Sequence, residues 1–266
     1  MNIRPVLMLL GALALLAACT ATPQVTRAPV RLRLGNALDQ AAVVDELIEA
    51  YRVDHDWVSF THDALPIDQA PDRVRNDHLD LVLVPAPLPP AASGLWQSGF
   101  GYDAVAVIVN PTNPVETLSV TQLRDIYQGS VFDWSPFGGS GEVAPVSREA
   151  AAYVRRLFEE RVMSGRAVTL NAVLKASGPD VVTYVANTPG AIGYALLSQI
   201  DARVKIVGVE GVRPSPQTAT AQQYPLTFPI YLLARSEPQG DLREFTLWLL
   251  NEGQLLIEER GIGRVR

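Results

Sequence analysis

The apolar positions of this chain follow two rhythms that alternate along most of its length. The unbroken run Ala-Val-Ala-Val-Ile-Val at 104–109 and the nearly continuous one at 79–84 have the composition of strands covered on both faces. Elsewhere the apolar residues recur at every third or fourth position. Val43, Val44, Leu47, Ile48 and Tyr51 do so within 38–52, and Val154, Leu157, Phe158 and Val162 within 149–163, which predicts helices with one buried face. The same reading predicts strands over 30–34, 143–146, 191–195, 205–209 and 228–234, and helices over 179–186, 242–250 and 253–260. Punctuation agrees with it. Gly35-Asn36 breaks the first strand before the first helix, Ser119-Val120-Thr121-Gln122 forms a capping box ahead of a helix at 123–127, and Asn187-Thr188-Pro189-Gly190 ends another. Strands alternating with helices predict an α/β protein on a largely parallel sheet system.

One apolar run is of another kind. Residues 6–16 follow Met1-Asn2-Ile3-Arg4 and lead into Leu16-Ala17-Ala18-Cys19. A positive start, a short apolar core and small residues before a cleavage point describe a secretory signal peptide over 1–18. The run is shorter than the ~20 residues of an ordinary membrane-spanning helix. Leu-Ala-Ala-Cys resembles the lipobox of bacterial lipoproteins, which implies cleavage before Cys19 and a diacylglycerol on its sulfur. Cys19 is the only cysteine, so the chain contains no internal disulfide. Residues 19–29 are small, polar and proline-containing, as in a flexible tether. The expected product is an extracytoplasmic body in the cell envelope, held to a membrane by lipid rather than by a helix.

Composition narrows the partners. The formal charge of −6 becomes −7 without Arg4, which argues against nucleic acid or anionic lipid as the main partner. The 266 residues less an 18-residue leader leave 248, enough for one large domain or two lobes without disulfide staples.

A resemblance enters through four strings in order: 101–115 (GYDAVAVIVNPTNPV), 118–129 (LSVTQLRDIYQG) with Asp133-Trp134-Ser135, 187–194 (NTPGAIGY) and 224–232 (YPLTFPIYL). Together they resemble the phosphate-binding proteins of bacterial ABC importers over roughly 99–266, while 30–98 is similar only in layout. The resemblance implies the two-lobed type II periplasmic binding protein fold, with a hinge and a central cleft. It implies lobe 1 at 30–103 plus 226–266, lobe 2 at 104–225, and chain crossings near 102–106 and 225–230. Ligands of open α/β sheets collect beyond the carboxyl ends of strands, so such a cleft is also a sensible anion site on physical grounds.

The ligand loop implied by the resemblance departs from the family pattern. Its register gives Arg148-Glu149-Ala150-Ala151-Ala152-Tyr153-Val154-Arg155-Arg156-Leu157-Phe158. Arg148, Arg155 and Phe158 keep their places, but Ala152, Tyr153 and Val154 stand where the family has serine, glycine and threonine. In lobe 1, Gly35-Asn36-Ala37-Leu38 replaces a hydroxyl-bearing turn, and Val84-Pro85 replaces a Ser-Asp pair. A buried dianion needs a nearly complete set of donors, since each unmet bond costs ~1–3 kcal/mol. Phosphate binding is therefore expected to be weak or absent, and another anionic solute is expected on Asn36, Ala37, Arg148, Ala152, Tyr153, Val154 and Arg155. Arg148 is a fork-shaped cation suited to carboxylate or phosphate. In the bland alternative, Arg148 and Arg155 pair with Glu149, Glu159 or Glu160 and the cleft holds nothing.

Other chemistry has weaker support. His55, His62 and His78 have aspartates beside them but no compact ligand spacing, so no metal is expected. Ser140 lies outside any Gly-x-Ser-x-Gly elbow, and no cofactor fingerprint is present, so no catalytic residue or cofactor is expected. Two functions remain. One is a lipid-anchored solute-binding protein that delivers a small anion to an ABC permease by closing its lobes. The other is an envelope interaction or sensory module that keeps the fold and has lost phosphate binding, with an envelope protein as partner.

Overall fold

The computed structural model describes residues 27–38 and 41–265, so the leader and Cys19 lie outside the described residues. The strands are β1 (Val30–Asn36), β2 (Val58–Ala64), β3 (Leu81–Pro85), β4 (Trp96–Val109), β5 (Thr117–Leu118), β6 (Ala144–Arg148), β7 (Val173–Lys175), β8 (Ala191–Leu196), β9 (Lys205–Val209), β10 (Thr227–Ala234) and β11 (Gly263–Arg264). The helices are α1 (Ala41–Arg52), α2 (Ala70–Arg75), α3 (Val120–Tyr127), α4 (Tyr153–Phe158), α5 (Gly178–Asn187), α6 (Pro216–Thr220), α7 (Gly240–Leu250) and α8 (Gly253–Glu259). None of the described helices is long and apolar enough to cross a membrane.

The strands run in the order β2-β1-β3-β10-β4-β8-β6-β7. The sheet is more mixed than the alternation of elements predicts. β1 is parallel to β2 and β3, and β6 to β8, but β10 runs antiparallel to β3 and β4, and β4 antiparallel to β8 and β9. β4 carries the architecture. Trp96–Ala104 pairs with β10, and Val105–Val109 pairs with β8. One strand thus leaves one half of the molecule and enters the other. The strand expected over 104–109 thus starts earlier, at Trp96, and contains Gly99 and Gly101. A Cβ on Gly101 would come within 3.0 Å of the Gly263 carbonyl oxygen, so the strand keeps glycine to let β11 approach.

The apolar rhythms explain the elements. Every residue of β3 and of β8 is buried, and α1 buries the five residues its spacing selects. Ser119 and Gln122 cap α3 reciprocally, at 3.1 and 2.7 Å. The structure also adds or alters elements relative to the expected set. β2, with the half-exposed pattern of an edge strand, was not predicted, because His62 and Asp63 mask its period. α2, begun by Pro71, was missed as well. The helix expected over 149–163 begins only at Tyr153, after an extended Ala152, and gives way to a π-helical turn at Glu159–Met163. Alanines keep a helical apolar count whether or not the backbone closes its bonds.

Buried aromatic side chains hold the second half together. Phe158 stacks on Tyr194 at 4.0 Å, and the Tyr127 hydroxyl lies 3.2 Å from the carbonyls of Val146 and Ile192, tying β6 to β8. Trp134 Nε1 donates to the Gly190 carbonyl at 3.0 Å, which accounts for the sequence strings around both residues. At the partner change in β4, Asp103 is fully buried. Its carboxylate accepts from the Ala104 amide and the Ser198 hydroxyl at 2.7 and 2.8 Å, and burial pushes its pKa up to about 6.

Candidate functional site

The carboxyl ends of β1 and β2 on one side, and of β6 on the other, face a cavity of about 830 Å³. That volume lies within the ~300–1,000 Å³ of small-molecule sites. From β6 comes Arg148, 3% exposed, whose Nη2 donates to the Ala176 carbonyl at 2.8 Å. The neighbouring Ser147 hydroxyl meets the Tyr194 hydroxyl at 2.7 Å, which fixes the strand end against β8. Residues 149–152 then turn, closed by the Ala152 amide on the Glu149 carbonyl at 3.0 Å, and hand the chain to α4.

The opposite wall is built by β1. Gly35 is packed so closely that a Cβ would lie 2.8–2.9 Å from side-chain carbons of Leu79, Leu65 and Val82. The next residue, Asn36, is 1% exposed, and its Oδ1 accepts from the Leu38 amide at 2.8 Å. That bond fixes the amide orientation and makes Nδ2 the donor. Among the described residues this Nδ2 has no hydrogen-bond partner, and Asn36 lines the cavity. A buried donor without a partner is costly unless a ligand or water meets it.

Six of the seven residues expected at the site line this cavity: Asn36, Ala37, Arg148, Ala152, Tyr153 and Val154. Arg155 does not. Its Nε donates to Glu159 at 2.8 Å and its Nη1 to the Arg148 carbonyl at 2.8 Å, so its charge braces the loop from behind. Sequence reasoning missed the segment 64–68, with Leu65, Ile67 and Asp68 on the cavity wall, together with Glu149 and Arg156. The missing signal was β2, since its carboxyl end delivers 64–68 beside β1.

Tyr153 shapes the cavity most. Its hydroxyl donates to the Ala86 carbonyl, just beyond β3, and its ring meets Phe228 of β10 edge-on at 5.4 Å. Burial pushes its pKa well above the ordinary phenol value. The phenol reaches from the 148–156 side to Ala86 on the opposite half and packs against the apolar cluster that contains Val84. The histidines are placed elsewhere. His55 stacks on Tyr51 at 3.8 Å and His62 Nδ1 meets Asp45 at 3.1 Å, and the described residues contain no group of three or more metal-ligating side chains.

An α/β body whose two halves share β4 and face each other across a cavity defines a two-lobed binding protein of the type II periplasmic class. The chain belongs to the PBP superfamily, whose domain model matches residues 23–252. Among curated relatives, the phosphate-binding protein PstS of Bacillus subtilis is 28% identical over 150 residues, covering 56% of this chain and 50% of the relative. The match thus spans about half the length of that protein. PstS of Borreliella burgdorferi is 19% identical over 245 residues, covering 86% of this chain and 88% of the relative. Among solved structures, a candidate phosphate ABC transporter substrate-binding protein with bound phosphate from Clostridium perfringens superposes with a TM-score of 0.78 at 23% identity, over 89% of this chain and 100% of that one. An ABC-type phosphate transport receptor from Vibrio cholerae gives 0.73 at 24% identity, over 87% and 99%.

Proposed function

We propose that the chain captures a small organic anion, rather than inorganic phosphate, between lobe 1 (30–103 with 226–266) and lobe 2 (104–225), and presents it to an ABC permease while tethered by lipid on Cys19. The carrying observation is the cavity with Arg148 buried in one wall and Asn36 Nδ2 in the other. A guanidinium and an amide donor suit a carboxylate. The positions that the resemblance assigns to hydroxyl donors are Ala152 and Val154, and Val84-Pro85 stand where it has a Ser-Asp pair, which disfavours phosphate. Binding needs no chemistry, only a higher affinity of the closed state than of the open one.

Isothermal titration of the mature protein against phosphate, sulfate and small carboxylates tests the reading. The expected result is micromolar binding of a carboxylate, weakened at least tenfold by Arg148→Ala in a variant that still melts cooperatively. Tighter binding of phosphate than of any carboxylate, or silence across the panel, overturns it. Silence with an envelope protein recovered by cross-linking would favour the interaction-module alternative. Retention of Cys19→Ser in the membrane fraction would remove the anchor from the proposal.

A further inference from the structure

We infer that Arg27 and a notch formed by Trp57, Asp241 and Glu244 make a clasp that fixes the segment before β1 to one pole of lobe 1. Residues 19–29 have the composition of a tether, and a tether alone would make no built contact with the body. Arg27 makes one. Its Nη1 and Nη2 donate to the two carboxylate oxygens of Glu244 at 2.9 and 2.7 Å, the paired geometry that a guanidinium and a carboxylate favour. Its Cζ stands 4.6 Å from the centre of the Trp57 ring, within cation–π reach. The bond from Arg27 holds the Glu244 carboxyl below its ordinary pKa.

The notch is itself braced. Asp241 and Glu244 lie three positions apart on α7, so both face the same side of the helix. Trp57 Nε1 donates to Asp241 at 3.0 Å, and the indole lies 5.1 Å from the His55 ring, which stacks on Tyr51. An exposed ion pair by itself contributes little. Here the guanidinium meets a carboxylate and an aromatic face together, and the chain is already fixed three residues on, where the Val30 amide donates to the Trp57 carbonyl at 2.9 Å. Closing so short a loop costs little further chain entropy.

The place of the clasp gives it a consequence. β1 and β2 run parallel, and the cavity lies beyond their carboxyl ends, at 36–38 and 64–68. Arg27 and Trp57 lie at their amino ends. The chain therefore enters lobe 1 at the pole remote from the cavity, which leaves the cleft free to open and close. The effect on reach rests on the Cys19 anchor. The eight residues from Cys19 to Arg27 span at most about 26–29 Å, against about 36–40 Å for the eleven to Val30, so the clasp shortens the tether by about a quarter.

Limited trypsin digestion of the mature protein tests the clasp. Trypsin cuts after an arginine only when the side chain enters its pocket, so the rate at the Arg27–Ala28 bond follows the unclasped fraction. Mass spectrometry reads that rate from the product that begins at Ala28. Glu244→Gln should raise it at least threefold with an unchanged melting curve. Glu46→Gln, which weakens a different ion pair of lobe 1, should leave it as in wild type. Arg27→Ala, which leaves α7 untouched, should quicken hydrogen exchange at the Val30 amide by a similar factor. A cleavage rate that Glu244→Gln does not change, a rise that Glu46→Gln matches, or exchange at Val30 indifferent to Arg27→Ala overturns the inference. The digestion reads the clasp with or without lipid, so its failure is distinct from failure of the Cys19 anchor.

Discussion

Tyr153→Phe isolates the one hydrogen bond that crosses the cleft at Tyr153. The hydroxyl donates to the Ala86 carbonyl on the far side, while the ring meets Phe228 and touches both the large apolar cluster that runs through the two halves and the smaller one that contains Val82 and Val84. Phenylalanine keeps the ring and removes only the donor. An intramolecular hydrogen bond contributes a net ~0.5–1.5 kcal/mol. If the bond exists only with the halves together, a loss of about 1 kcal/mol shifts the closed-to-open ratio about fivefold. Tyr153→Ala also removes the ring. Full truncation of a buried aromatic costs ~3–5 kcal/mol, so a half-buried one should lose about 2 kcal/mol, a shift of about thirtyfold. Small-angle scattering of the ligand-free protein reads the opening as an increase in radius of gyration, graded from wild type through Phe to Ala. Hydrogen exchange at the 149–154 amides should quicken in the same order. Two variants with wild-type scattering and exchange but a lowered melting temperature would refute the reasoning, because the bond would then hold the fold and not the closure.

Two further predictions follow from residues away from the cleft. Asp103 has a folded pKa of about 6 against an ordinary ~4, so between those values the folded state keeps a proton that the unfolded chain has released. Its contribution is whole below pH ~4 and is lost as pH rises through about 6, on the order of 3 kcal/mol in all. Denaturant titrations from pH 4 to 7 should show the stability of wild type relative to Asp103→Asn falling across that window, and parallel curves would contradict the assignment. The carboxylates of Glu46 and Asp201, held low by hydrogen bonds from Arg260 and Arg203, act in the opposite sense and cancel in the difference. Gly190→Ala would place a Cβ 2.2 Å from the Glu142 carbonyl oxygen, at a residue whose own carbonyl accepts from Ala144 and Trp134. A loss of at least ~2 kcal/mol in urea unfolding is expected, and a change below ~0.5 kcal/mol would show that the backbone gives way freely.

What the sequence makes legible is what periodicity and capping encode. The buried runs of β3 and β8, the face of α1 and the Ser119–Gln122 box are all readable because each is a local pattern. Arg148 and Asn36 could be placed at strand ends by register, and the structure puts both on one cavity. The rest depends on non-local events. The wall at 64–68 escapes notice because β2 is an edge strand with polar outward positions, and only its pairing with β1 reveals it. Arg155 sits in the register of a ligand residue, but Glu159 four positions on and the Arg148 carbonyl capture its guanidinium. Tyr153 is visible as a bulky residue where a glycine was expected. That it crosses to Ala86, rather than turning outward, is decided by Phe228, a residue distant in sequence.

The separation between scaffold and cavity wall explains how the fold can persist while the residues of the wall differ from the family pattern. The bonds that define the family-like strings, Trp134 to Gly190, Tyr127 to β6 and β8, and Ser147 to Tyr194, lie behind the cleft and touch none of the residues 149–154. Superposition at a TM-score of 0.78 is therefore compatible with a loop in which Ala152, Tyr153 and Val154 supply no short-chain hydroxyl donor. A tyrosine at 153 has two coupled effects. It puts a bulky side chain where the family pattern has glycine, and its hydroxyl ties the 149–154 segment to Ala86 on the opposite half. Rebuilding the loop to the family pattern would thus take more than serine at 152 and threonine at 154. The phenol would have to leave Ala86 as well.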